Sequence, residues 1–358
     1  MPHIILSAPG DLAMLATRWQ ALEACAGGSF FQSWTWVGCD IAARYPDPVL
    51  VEAREGGRTV GLALCNVRRD WLGERWWLGE SGAAGLDSLF VEHNGPLVAE
   101  DAGPGVLAGM LAAMAGGVVP GRRGFGRRVM LGGVAAEVAA SAWAMAGTLR
   151  VQPDRPSPYV DFTALRADGI SYLGSLSANA RQQLRRSGRR YAADGALTLT
   201  RAGDVAEGLA FLEALAGLHQ ATWTGRGRPG AFAVPEFRRF HAELIARALP
   251  RGEVELVRVS AGDVVIGYLY NFLWRGWVLA YQSGFVYPAG DTHRKPGLTC
   301  HHLAIEDHLA AGAMGYDFLA GEARYKSSLA NASQVLSWLE LGPAWRPDVL
   351  LARLRRTG

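Results

Sequence analysis

Two short stretches in the C-terminal half combine residue types that can hold an anion and move a proton. His293, Arg294 and Lys295 run directly into Pro296, Gly297, Leu298 and Thr299, which has the composition of a helix start. A helix N-terminus offers backbone N–H groups and the positive end of the macrodipole, so phosphate suits it. Pro fits an early helical position, Gly lets an anion approach the backbone, and Lys295 adds charge. A capped surface helix with solvated basic residues has the same composition. Downstream, Asp317, Glu322, Tyr325 and Lys326 form a polar group around Gly321. Glu322 is the candidate base, Tyr325 the candidate acid, and Lys326 a cation for an acidic group. Each also has a purely structural use: Asp317 capping a turn, Tyr325 filling core, Lys326 solvated. His219 stands four residues before Trp223, so the two share a helix face, and it is the second candidate base or a structural histidine. Tyr281 and Ser283 lie on a neighbouring apolar strand, where Tyr281 either lines a ligand channel or packs inside.

Charge adds a third feature. The net charge of the 358 residues is only +3, too small to argue for DNA. Arg181, Arg185, Arg186, Arg189 and Arg190 nevertheless fall within ten residues with no acidic neighbour. That helix is open to three readings: a solvated face, a phosphate contact through Arg181 and Arg185, or a surface for an anionic acceptor or membrane. Arg122, Arg123, Arg127 and Arg128 make a second knot. Cys25, Cys39, Cys65 and Cys300 are scattered, without a CxxC pair, and His301 and His302 point to different helix faces, so no metal is expected. No apolar run is long enough for a membrane span, and the first residues lack a signal-peptide pattern, so a cytoplasmic protein is expected.

The elements that must position these residues follow from pattern. Ser177 caps a helix through Arg190, and further helices are expected near Val205–Trp223, Pro235–Ala248 and Gly297–Ala311. Strands are expected at Val254–Ser260, Val264–Phe272, Trp277–Phe285 and Tyr316–Ala320. The chain also repeats itself. Val51–Leu64 and Val257–Tyr270 read as the same hairpin over fourteen positions at a constant offset of 206, with Gly56-Gly57 matching Gly262-Asp263 at the turn. The expected organisation is therefore two similar domains, at 1–152 and 159–345, joined by a proline-rich linker at 153–158 and followed by a tail at 346–358. The order of elements predicts an α+β fold, each domain a mixed, mainly antiparallel sheet flanked by helices.

Ser283-Gly284-Phe285, Pro296-Gly297-Leu298, Asp317-Phe318, Gly321-Glu322 and Tyr325-Lys326 together resemble the core of GNAT-superfamily acyltransferases of the CelD-like, cellulose-biosynthesis-associated type. The stretches Ser177–Tyr191, Leu218–Phe232 and Phe30–Val37 resemble the same family. The chain is more remotely similar to Fem-type peptidyltransferases, which carry two GNAT-like domains. The resemblance implies tandem GNAT-like domains, the first degenerate and the second catalytic. It also implies acyl-CoA as the donor substrate, without a metal, and N-acylation of a primary amine. The acceptor classes are an amino sugar, an amino acid, or a long-chain amine such as a sphingoid base. The implied donor site comprises Tyr281, Ser283, Arg294, Lys295, Gly297, Leu298, Thr299, Arg181 and Arg185. Glu322, His219, Tyr325, Asp317 and Lys326 form the implied catalytic group. An aminoacyl-tRNA donor, as in Fem-type enzymes, ranks below acyl-CoA, and a non-catalytic scaffold in an envelope or polysaccharide complex is the competing class. Peripheral attachment to the inner membrane through the Arg181–Arg190 helix is compatible with either.

Overall fold

The hairpin seen twice in the sequence is the seed of two sheets with one plan. In the computed structural model, which describes residues 2–70, 73–116, 127–346 and 349, contacts divide the chain into two units. One holds 1–155 together with 335–358, the other 156–334.

The first unit contains strands β1 (His3–Ser7), β2 (Pro48–Glu55), β3 (Arg58–Asp70), β4 (Gly73–Leu78), β5 (Leu97–Val98) and β6 (Arg128–Val134). The second contains β8 (Leu197–Arg201), β9 (Val254–Ala261), β10 (Val264–Trp274), β11 (Trp277–Phe285) and β12 (Gly315–Asp317). Two further strands are β7 (Leu149–Asp161) and β13 (Ala332–Leu341). The first sheet runs β1-β2-β3-β4-β6-β13, with β5 on β3; the second runs β8-β9-β10-β11-β12-β7. Strand senses match position by position. In each sheet one pair is parallel, β4 with β6 and β11 with β12, and the other neighbours are antiparallel.

Register carries the repeat to single residues. Glu55 faces Arg58 and Ala53 faces Gly61; at the same offset Ala261 faces Val264 and Val259 faces Gly267. Val60 and Ile266, the residues skipped in these registers, are therefore equivalent β-bulges, both buried. Bulges bend a strand and re-aim its side chains, so the two units share a local distortion as well as an order of strands.

The helices of the first unit are α1 (Leu12–Glu23), α2 (Trp34–Arg44), α3 (Val106–Gly116) and α4 (Ala136–Trp143). Those of the second are α5 (Phe162–Asp168), α6 (Tyr172–Ser175), α7 (Ala178–Ala192), α8 (Val205–Thr224), α9 (Pro235–Ala248), α10 (Pro296–Ala310) and α11 (Arg324–Leu329). Ser177 caps α7 by accepting from the Ala180 N–H, and Asp204 caps α8 through the Glu207 N–H. The core of the second unit gathers Val160, Phe162, Tyr172, Leu184, Leu269, Ile305 and Phe318 between sheet and helices. α8 crosses β11 where Gly284 has no side chain: a Cβ there would stand 2.4 Å from the Leu215 carbonyl oxygen.

The boundaries differ from those read in the sequence. Residues 153–158, expected as a linker, lie inside β7. Their prolines lack N–H groups but still accept: the Pro158 and Pro156 carbonyls receive the Phe318 and Gly321 N–H groups. Ser337 and Leu339–Leu341 pair with β6, so the chain from 335 completes the first sheet instead of the second. β12 stops at Asp317, short of Ala320, because Leu319 takes a positive φ of 60°. Arg122 and Arg123, and most of the 346–358 tail, lie outside the described residues.

Candidate active site

β11 and β12 run together briefly and then part. They pair in parallel over Trp277–Leu279 against Gly315–Asp317, after which β11 continues to Phe285 with no strand on that edge among the described residues. The chain beyond β12 turns away through Leu319, held in place from two sides. Asp317 Oδ1 accepts from the Leu319 N–H at 2.6 Å, and Lys326 Nζ donates to the Leu319 and Ala320 carbonyls at 3.1 and 2.8 Å. The opening is a cavity of about 740 Å³, lined by α8, β11, the start of α10, the loop after β12 and α11. All its lining residues belong to the second unit.

One end of the cavity is a helix start. Gly297 and Leu298 line it, and their N–H groups precede the first helical bond of α10, from Thr299 N to Lys295 O. Lys295, exposed, also lines it, as does Arg226, whose guanidinium lies 5.5 Å from the Trp223 ring. The helix start is fixed from α7. Ser187 Oγ accepts from the Lys295 N–H at 2.8 Å and lies 2.8 Å from Thr299 Oγ1. Thr299 is thus buried under the turn, outside the cavity lining, where sequence reasoning had placed it among donor contacts. Arg294 lines the cavity but is clamped by both Asp194 oxygens and stacks over Tyr191. Arg181 does not reach the cavity; it donates to the carbonyls of Leu173, Gly174 and Leu176 at 3.3 Å. Arg185 is exposed and also outside the lining.

The other end is polar and aromatic. Glu322 and Tyr325 line it, with Ser283 and Tyr281 on β11 and His219 on α8. Tyr281 is a buried wall, its hydroxyl 3.2 Å from His241 Nε2. His219 packs against Trp223 and Phe232; burial, with Arg226 assisting, pushes it down to about 4. Its Nδ1 is buried beneath Gly230, without a hydrogen-bond partner among the described residues. Burial, with Tyr287 assisting, pushes Tyr325 up to about 12, so it keeps its proton at neutral pH. Asp317 lies off the cavity. It is 4 % exposed and bonds Ser157 Oγ at 3.0 Å as well as Leu319, so it acts as a staple for the loop. Lys326 lines the cavity, yet its ammonium is engaged by the two carbonyls.

Sequence reasoning passed over three residues of this site. Arg226 follows the end of α8, inside the Leu218–Phe232 stretch, and carries no local signal of its own. Ser187 sits mid-helix, where a small polar residue on the buried face of α7 was the available signal. His301, which the sequence excludes as a metal ligand and otherwise leaves without a role, is 2 % exposed and belongs to the cavity lining. Among the described residues no group of three or more His, Cys, Asp or Glu is placed to hold a metal, and no helix is long and apolar enough to cross a membrane.

Comparison with known proteins bears on the fold. Residues 178–327 match the family model of the acetyltransferase (GNAT) domain, most of the second unit. No curated protein matches the sequence. Among solved structures, FemX aligns over 91% of this chain and 95% of its own, with TM-score 0.61 and 10% identity. The C-terminal domain (DUF2156) of an Agrobacterium fabrum protein, described as a lysylphosphatidylglycerol synthetase, aligns over 97% of both chains at 0.55 and 12%. L-PGS from Bacillus licheniformis aligns over 94% of this chain and 95% of its own at 0.55 and 12%. At such identities the likeness is one of fold. The second unit thus has the GNAT acyltransferase fold, and the first repeats its strand order.

Proposed function

We propose that the protein is an N-acyltransferase that takes its acyl group from a coenzyme A thioester and passes it to a primary amine. The observation that carries this reading is the cavity at the β11–β12 fork, which joins an anion-suited helix start to a carboxylate, Glu322. The donor's phosphates suit Gly297, Leu298, Lys295 and Arg226, while its thioester arm lies along the unpaired edge of β11. Arg181, Arg185 and Thr299 are left out of this assignment, and Arg294 supports the loop from its ion pair with Asp194.

An alkylamine with a pKa of about 10 loses one proton to water before it attacks; Glu322 orients the free amine by accepting its N–H and takes the surplus proton that the nitrogen sheds on bonding to carbon. The amine nitrogen then adds to the thioester carbonyl carbon, the C–S bond breaks, and the electron pair leaves on sulfur. Tyr325, protonated at neutral pH, is the acid placed to neutralise that thiolate. His219 is neutral above about pH 5 and serves as the alternative base. The acceptor remains within the classes of amino sugar, amino acid and long-chain amine. Calorimetric titration with acyl-CoAs of increasing chain length tests the donor: saturable binding by at least one is expected, and binding by none would refute it. Glu322→Gln is expected to lower kcat/KM by about 10²-fold, the usual scale of a lost general base.

A second reading is aminoacyl transfer from tRNA. Arg185, Arg189 and Arg190 on α7 are exposed, a surface suited to a polyanion, and the lysylphosphatidylglycerol synthetases share the fold. Salt-sensitive binding of aminoacyl-tRNA combined with silence toward every acyl-CoA would favour it.

A further inference from the structure

His301 presents an unpaired hydrogen-bonding atom inside the site. It lies in the second turn of α10, with Nδ1 2.9 Å from the Tyr316 hydroxyl of β12. Nε2 on the opposite edge is buried and has no partner among the described residues. Phe285 and Phe318 stand edge-on to the ring, and Tyr325 lies nearly parallel to it, with centroids 5.5 Å apart and planes at 16°. The titratable groups around it are Tyr316 on β12, Tyr325 and Lys326 on α11.

The Tyr316 contact decides which nitrogen carries hydrogen. Tyr316 is fully buried, and its hydroxyl has His301 as its one partner among the described residues. A buried hydroxyl proton needs an acceptor, and Nδ1 is the acceptor at hand. Tyr316 therefore donates to Nδ1, which leaves the hydrogen of the neutral ring on Nε2. Burial, with Lys326 assisting, pushes His301 down to about 3, so the ring stays neutral and does not shed this polarity by charging. The result is a buried N–H without an acceptor among the described residues, a desolvation cost that calls for an explanation.

We propose that the acceptor is the carbonyl oxygen of the donor's acyl group, and that His301 Nε2–H stabilises the negative charge that gathers there during transfer. This rests on the acyl-CoA reading of the cavity. As the amine nitrogen bonds to the carbonyl carbon, the C=O π pair moves onto oxygen, facing Nε2–H. When the carbonyl re-forms, the C–S bond breaks and sulfur leaves with the pair, to be protonated by Tyr325. The nitrogen gives its surplus proton to the base, and His301 keeps its own proton throughout. His301 lines the cavity together with Tyr325, whose hydroxyl has no protein partner among the described residues. Preorganised donors of this kind are worth about 10²–10³ in kcat, which sets the expected effect.

The test uses the full chain with the acyl-CoA that binds best. Nitrogen NMR of 15N-histidine-labelled protein at pH 7 should show His301 neutral with hydrogen on Nε2; hydrogen on Nδ1, or a cationic ring, overturns the proposal. His301→Leu should lose about 10²-fold in kcat with its calorimetric Kd for acyl-CoA little changed. His301→Gln, whose amide can donate from a similar place, should recover about tenfold of that loss. Undiminished kcat in His301→Leu overturns the proposal while leaving the acyltransferase reading intact. Should His301→Leu not fold, His301→Gln and the tautomer decide. Wild-type protein that binds no acyl-CoA overturns both.

Discussion

Tyr325 and His219 face the same cavity with their proton affinities moved in opposite directions, and that separation is what a proton-transfer site needs. Burial raises the phenol to about 12 and lowers the imidazole to about 4, so neither changes state between pH 6 and 9. In the proposed reaction the ionisation that does change there is the acceptor's own, because only the free amine attacks. We therefore expect kcat/KM to rise about tenfold per pH unit across pH 6–9, tracking the amine's deprotonation. The check is a pH profile with two amines of different pKa, whose curves should shift by the difference. A break near pH 6.5 common to both amines would mean that His219 titrates as an ordinary exposed histidine, contrary to its burial. Tyr325→Phe should lower kcat by about 10²-fold in the same assay, and less with a thioester whose thiol is more acidic, since that leaving group needs less protonation.

At the scale of elements, the helix-start end of the cavity depends on one hydroxyl. Ser187 of α7 ties down both the Lys295 N–H and the Thr299 hydroxyl, so the first turn of α10 is held where its free N–H groups line the cavity. Ser187→Ala strands the buried Thr299 hydroxyl, at about 1–3 kcal/mol, and loosens that turn. The expected outcome is a lower Tm with a raised KM for the donor and a kcat within about twofold, measured by melting and steady-state kinetics. A KM that stays put would separate the helix start from donor binding. The elements themselves were largely legible. Ser177 marked the start of α7, and the Val51 and Val257 hairpins agreed down to the bulges at Val60 and Ile266, because turn chemistry and alternation are local. What escaped was set by distant partners. Asp317 looked catalytic until the backbone of Leu319 turned at positive φ and used its carboxylate as a staple. The arginines of α7 looked like one patch, yet Arg181 spends its guanidinium on three carbonyls at the end of α6. Only the arrangement of those carbonyls in space separates Arg181 from exposed Arg185, and spacing along the chain does not encode it.

Across the whole molecule, the two last strands are exchanged relative to a simple tandem repeat. β7 precedes the second unit and pairs with β12 through Tyr159–Asp161, whereas β13 follows it and pairs with β6. Which sheet a strand joins is decided by its distant partner, so a boundary drawn from sequence at residue 345 had no local reason to stop at 334. The arrangement has an energetic consequence for each unit taken by itself. Leu336, Leu339 and Leu341 of β13 are fully buried in the first unit, and a buried leucine contributes about 1.5–3 kcal/mol. A chain ending at Gln334 loses all three and bares the edge of β6, a row of unpaired N–H and C=O groups. Residues 156–334, by contrast, keep their own sheet and core and every residue lining the cavity. We expect 156–334 expressed alone to melt cooperatively and to bind acyl-CoA within about tenfold of the full chain. Residues 1–334 should show a low-melting, aggregation-prone transition while retaining that binding. Calorimetry and ligand titration on the two fragments would decide it: an unfolded 156–334 would mean that the second unit needs chain from outside its own contacts, and an unshifted melt of 1–334 would mean that β13 adds little to the first.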